Sequence, residues 1–150
     1  MTTLNATPQL VPEFGCTDVA VSRRFYIDIL GFTIKYERPS NGFVYLIRDG
    51  VSIMLEPLSR ETWQLAEPTP PLGRGLHFQI KVSSLDELHA NCKAHGVVFV
   101  QELEEAWYRG GDVYHGQRQF VIADPDGYIL RFAQSLGQKK TPPSTGRSRT

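Results

Sequence analysis

The chain has 150 residues, is 41% hydrophobic and 21% charged, and carries no formal net charge. That balance supports one packed domain. No apolar run approaches the roughly 20 residues that span a bilayer. The N-terminus MTTLNATPQL lacks a basic region followed by an apolar stretch, so no signal peptide is expected and the expected location is cytoplasmic. Cys16 and Cys92 lie far apart and form no CxxC pair, which favours buried, reduced thiols. Lys139, Lys140, Arg147 and Arg149 are concentrated at the C-terminus. Removing those four from 16 leaves 12 basic side chains against 16 acidic ones, a net of −4. An acidic body is a poor nucleic-acid binder, because phosphate contacts need clustered Lys and Arg. It suits a neutral or cationic ligand better.

In chain order, Leu10 to Cys16 reads as a short strand. Asp18 is placed to cap a helix reaching Leu30, with Val21, Phe25 and Ile29 on one apolar face, Tyr26 and Leu30 beside them, and Gly31 as its stop. Phe32 to Glu37 and Phe43 to Ile47 read as strands around the turn Pro39-Ser40-Asn41-Gly42. Asp49-Gly50 is a hairpin signal leading into the strand Val51 to Glu56. Residues 57–75 are rich in Pro and Gly and read as a connector, with a short helix near Arg60 to Leu65.

The second half repeats this order. His77 to Val82 reads as a strand, and Ser84-Leu85-Asp86-Glu87 as a capping box. Leu85, Leu88 and Cys92 form the apolar face of a helix ending at Gly96, and Val97 to Gln101 is strand-like. A polar and aromatic loop is expected over Glu102 to Gly116. The strands Gln119 to Ala123 and Tyr128 to Ala133 then flank the turn Asp124-Pro125-Asp126-Gly127. The tail from Gly137 is expected to be disordered.

The halves align by their landmarks. Asp18 matches Ser84, Val11 matches His77, and Gly50 matches Gly127, with Met54 and Arg131 four residues beyond those glycines. The expected fold is α+β, with two βαβββ modules forming a curved mixed sheet and a concave ligand cleft. The expected domain covers residues 10–136, with modules at about 10–57 and 76–134 and a tail at 137–150.

The segments VPEFGCTDVAVSRRFYIDILGF, GFVYLIRDGVSIMLE, VSSLDELHANCKAHGV and GQRQFVIADPDGYILRFAQ carry a resemblance to the glyoxalase/bleomycin resistance protein/dioxygenase (vicinal oxygen chelate) superfamily over residues 10–134. The FY…LGF helix exit and the DPDGY hairpin are its most specific parts. This scaffold hosts lyases, dioxygenases, epimerases, thiol transferases and antibiotic-binding proteins, so fold alone does not fix function. Within it, the chain looks most like the bleomycin-resistance type, which sequesters a drug without metal or chemistry. Relatives pair their chains, which implies a C2 homodimer.

In metal-dependent members of the superfamily, four ligands sit at places that here hold Val11, Met54, His77 and Arg131. Valine offers no donor, the thioether of Met54 is weak, and a guanidinium repels a cation. No metal and no cofactor are therefore expected. Glu13 and Glu56 lie two residues from Val11 and Met54 and leave a shifted metal site, or a general base in a metal-free enzyme, as alternatives. His77 reads equally as a hydrogen-bonded wall residue, and Arg131 as an ion-pair partner of Glu13 or Glu56. Trp107 and Tyr108 sit among acids, where they would stack on a flat cation or, for Trp107, plug a dimer interface. The resemblance, with this reading of the residues, implies a metal-free binding protein for a bleomycin-type or other flat cationic aromatic ligand. Its expected site comprises Tyr36, Phe43, Tyr45, Glu56, His77, Trp107 and Arg131, with no catalytic residue and no nucleic-acid or membrane partner.

Overall fold

The computed structural model describes residues 8–59, 62–144 and 146–149. Its ladders fall into two compact units that divide between Thr69 and Pro70. The first unit contains β1 (Glu13–Cys16), α1 (Val19–Arg24), β2 (Thr33–Arg38), β3 (Phe43–Arg48) and β4 (Val51–Pro57). The second contains β5 (Phe78–Lys81), α2 (Asp86–Ala94), β6 (Val98–Gly110), β7 (Val113–Ala123), β8 (Ile129–Lys139) and β9 (Arg147–Arg149). The sheet orders are β1-β4-β3-β2 and β5-β8-β7-β6-β9. In each unit the first and last strands of the module pair in parallel, and the other module ladders are antiparallel. The fold is α+β, and the repeat is real. Glu13 pairs with Met54 in the first unit, and Gln79 pairs with Arg131 at the equivalent place in the second.

Local chemistry explains most of the elements. The Asp18 carboxylate accepts from the N–H groups of Ala20 and Val21, satisfying two donors that a helix start leaves orphaned. Beyond Arg24 the helix widens into a π-turn, Phe25–Ile29, and the N–H of Leu30 reaches back to the Phe25 carbonyl. Its buried face runs through Phe25, Tyr26 and Leu30 as expected, with Ser22, while Val21 is exposed and Ile29 only half-buried. A strict 3.6-residue repeat does not anticipate that shift. Tyr26 is fully buried, with its ring 6.3 Å from Phe14 and 5.6 Å from Phe32. Val44, Leu46, Ile53 and Leu55 complete this core. Burying each such side chain stabilises the unit by roughly 1.5–3 kcal/mol.

In the second unit Leu85, Leu88 and Cys92 of the helical segment are buried, as are Ile80, Phe120, Ile122, Leu130 and Phe132 of the sheet. Burial raises the Cys92 thiol to about 11, so at neutral pH it stays protonated and weakly nucleophilic. A thiol reagent at pH 7.5 should label Cys92 only after unfolding, and labelling of the native protein as fast as of the denatured one would contradict the buried placement. The expected capping box is not formed. Leu85 occupies the cap of α2 without a side-chain bond, and its N–H donates to Gln134 Oε1 on β8 instead. A neighbouring strand has replaced the local cap.

Three further expectations differ from the structure. Glu102 to Gly116 is mostly a hairpin: β6 continues to Gly110, β7 begins at Val113, and only Gly111 and Asp112 turn. Register shifts between Phe99 and Glu104 break the alternation that would have revealed the strand. The tail expected to be disordered holds the end of β8 and the strand β9, which pairs with Ala106 to Tyr108. Edge pairing supplies backbone bonds that composition does not predict. In the connector, Arg60 and Glu61 lie outside the described residues, and Thr62 to Leu65 is not helical. Among the described residues no helix is long and apolar enough to cross a membrane.

Candidate functional site

Strand alternation sorts the first unit's side chains into two faces. Phe14, Val44, Leu46, Ile53 and Leu55 are buried on the side where Phe14 meets Tyr26 of the helix. The other face carries a row across four strands, Glu13, Met54, Tyr45 and Tyr36, fixed by the ladder registers. Beside it lie Glu56, Phe43 and Arg38. Tyr36 stacks on Phe43 at 5.9 Å and on Tyr45 at 5.1 Å between ring centroids. The Arg38 guanidinium lies 3.9 Å from the Phe43 centroid, and Lys35 Nζ lies 5.1 Å from that of Tyr45. The Tyr45 hydroxyl is buried without a hydrogen-bond partner.

A cavity of about 390 Å³ opens on this face, lined by Glu13, Arg38, Asn41, Phe43, Glu56, Pro57, Ser59, Thr62 and Trp63. Burial first, then the Glu13 charge and a hydrogen bond donated to Glu13, raise the Glu56 carboxyl above its ordinary range, while the Arg38 charge pulls it down. The Glu56 carboxyl therefore holds its proton more tightly than an isolated glutamate does. Trp63 is 99% exposed beside an equally exposed Leu65. Sequence reading passed over Trp63 inside a proline-rich connector. The available signal was a tryptophan with no apolar repeat around it to bury it.

The second unit places the remaining expected residues differently. His77 is exposed and lies one residue before β5. Trp107 is 2% exposed and pairs across the hairpin with Gly116. A Cβ at Gly116 would meet the Trp107 ring at 2.5 Å. Trp107 Nε1 donates to Glu105 at 2.8 Å, and Lys139 Nζ stands 4.3 Å from its ring centroid. Trp107 is thus a packed cross-strand residue, not an open loop aromatic. Arg131 lies on β8 between Gln79 and Val121, 5.8 Å from the Tyr108 ring centroid. The four expected sites for metal ligands do not make a donor set. Val11 and His77 precede their strands, and a thioether and a guanidinium occupy the other two places. Among the described residues no three of His, Cys, Asp and Glu gather as a metal would need.

Residues 12–132 match the Glyoxalase/Bleomycin resistance protein/Dioxygenase superfamily. The chain belongs to this superfamily. Bleomycin resistance proteins of Geobacillus stearothermophilus and Staphylococcus aureus are each 28% identical to it over 137 residues, covering 85% of this chain and 97% of theirs. A superfamily structure from Alicyclobacillus acidocaldarius superposes with a TM-score of 0.62 at 18% identity, covering 89% of this chain and 96% of that one. TioX from Micromonospora sp. ML1 gives 0.62 at 22% identity, covering 86% and 99%. These solved structures show that the superfamily fold is shared.

Proposed function

We propose that this protein binds and sequesters a small flat aromatic ligand bearing a cationic group, in the manner of a bleomycin resistance protein. The carrying observation is the first unit's cavity, with the Glu13–Glu56 pair at one wall and Phe43 and Trp63 at others. The carboxyl pair attracts a cation, and the exposed Trp63 ring offers stacking area beside the buried Phe43. Arg38 already covers one face of Phe43, which leaves Trp63 as the second stacking surface. Tyr36 stacks against both Phe43 and Tyr45. The protein acts as a cytoplasmic homodimer without metal or cofactor, from a domain spanning residues 10–136. These features follow from the bleomycin-resistance reading.

Isothermal calorimetry with bleomycin tests the reading directly. Trp63→Ala should weaken binding about tenfold, or about 1.4 kcal/mol, and leave the melting temperature unchanged because the ring is exposed. Wild-type protein that binds no bleomycin at high micromolar concentration would end the assignment. The raised Glu56 carboxyl beside Glu13 also favours a second reading, a metal-free enzyme using Glu56 as general base. A turnover rate that rises with pH on a panel of carbonyl substrates, and is lost in Glu56→Gln, would establish it.

A further inference from the structure

Leu130 and Phe132 are fully buried in the second unit's core, so Arg131 between them points from the opposite face of the sheet. That face is polar. Gln79 stands beside Arg131 on β5, and Gln119 and Gln117 follow on β7. Gln117 and Gln119 hydrogen-bond to each other, and Gln119 Nε2 also contacts Glu104 Oε1 at 2.8 Å and the Tyr108 hydroxyl at 2.6 Å. Glu104 is therefore engaged by an amide and makes no ion pair with Arg131. Among the described residues of its own unit Arg131 has no carboxylate partner, and its Nε is buried without a hydrogen-bond acceptor there.

A guanidinium cannot shed its proton to escape this situation. An unpaired buried donor on a charged group carries its desolvation penalty in full. The fitting complement is a group with two acceptor oxygens, because the guanidinium fork matches a planar oxyanion. Gln79 is exposed on the adjacent strand, and its Oε1 receives only a 3.5 Å contact from Gln117, so its amide nitrogen supplies a second, neutral donor. We propose that Arg131 and Gln79 form a binding site for the carboxylate, or an equivalent oxyanion, of a small ligand, with the Tyr108 ring beside it as an apolar wall. This site prefers the charge opposite to that favoured by the first unit's cavity, so each proposal fails or survives without the other.

The test uses the full chain with benzoate, neutral benzamide of the same shape, and inorganic phosphate, at matched ionic strength. Benzoate should raise the melting temperature saturably by several degrees, while benzamide should not. The Arg131 Nε–H signal in a ¹H–¹⁵N spectrum should move with benzoate and not with benzamide. Arg131→Met should be at least as stable as wild type without ligand, and should lose the benzoate response. Gln79→Met should weaken benzoate several-fold at unchanged melting temperature, which keeps the test open if the arginine variant folds poorly. A phosphate response that Arg131→Met abolishes would support the oxyanion class. Equal responses to benzoate and benzamide, or a benzoate response kept in Arg131→Met, would overturn the proposal. So would an Nε–H signal unmoved by both benzoate and phosphate.

Discussion

Trp107→Ala should destabilise the protein by about 3–5 kcal/mol, the range for emptying a buried aromatic site. The ring is 2% exposed, and it fills the space that a side chain at position 116 would need. Removing it leaves a cavity between two strands and deprives Glu105 of its Nε1 donor. The converse change, Gly116→Ala, should cost about 1–3 kcal/mol by forcing the ring aside. The double variant should be less destabilised than the sum of the two, because the new methyl enters space the indole has vacated. Urea unfolding monitored by circular dichroism measures all three. An unchanged midpoint for Trp107→Ala, together with a large loss of ligand affinity, would return this residue to the role in ligand stacking that its sequence context suggested.

The second large effect concerns the carboxyl pair. Glu13→Gln with Glu56→Gln should weaken a cationic aromatic ligand roughly 10- to 100-fold, since hydrogen bonds to charged groups contribute about 1.5–3 kcal/mol. The pH dependence has a definite sign. The Glu56 carboxyl is raised by burial and by Glu13, so the folded state holds its proton more tightly than the unfolded chain does. This contribution to stability is complete below the unfolded value and is lost as pH rises through the raised one. Glu56→Gln should therefore be more stable than wild type at neutral pH, with the gain vanishing in acid. A cationic ligand acts the other way. It favours the ionised pair, so binding should release a proton and weaken as pH falls through the raised value. Calorimetry in two buffers of different ionisation enthalpy measures that proton. A pH-independent affinity would show that the pair does not meet the ligand's charge.

The failures of sequence reading share a physical cause. Glu102 to Gly116 looked like a loop because Glu102, Glu104 and Glu105 break the apolar alternation. In the fold those positions lie beside register shifts, where alternation is not required. Trp63 was invisible because a connector has no periodicity against which an aromatic stands out. Leu85 replaced Ser84 at the helix cap because Gln134, distant in sequence, supplied an acceptor.

Much of the fold follows from local chemistry. The Asp18 cap, the stop at Gly31, the Asp49-Gly50 and Asp124–Gly127 turns, and the order of the repeated elements all rest on interactions within a few residues. The repeat places Glu13 with Met54 and Gln79 with Arg131 at equivalent ladder places. Tertiary structure decided what each site residue faces. It gathered Tyr36, Phe43, Tyr45 and Glu56 on one sheet face with Glu13, Arg38 and Trp63. It buried Trp107 against a glycine and, among the described residues of the second unit, left Arg131 without an acid. Those outcomes depend on strand register and on partners far along the chain, which a linear sequence does not place.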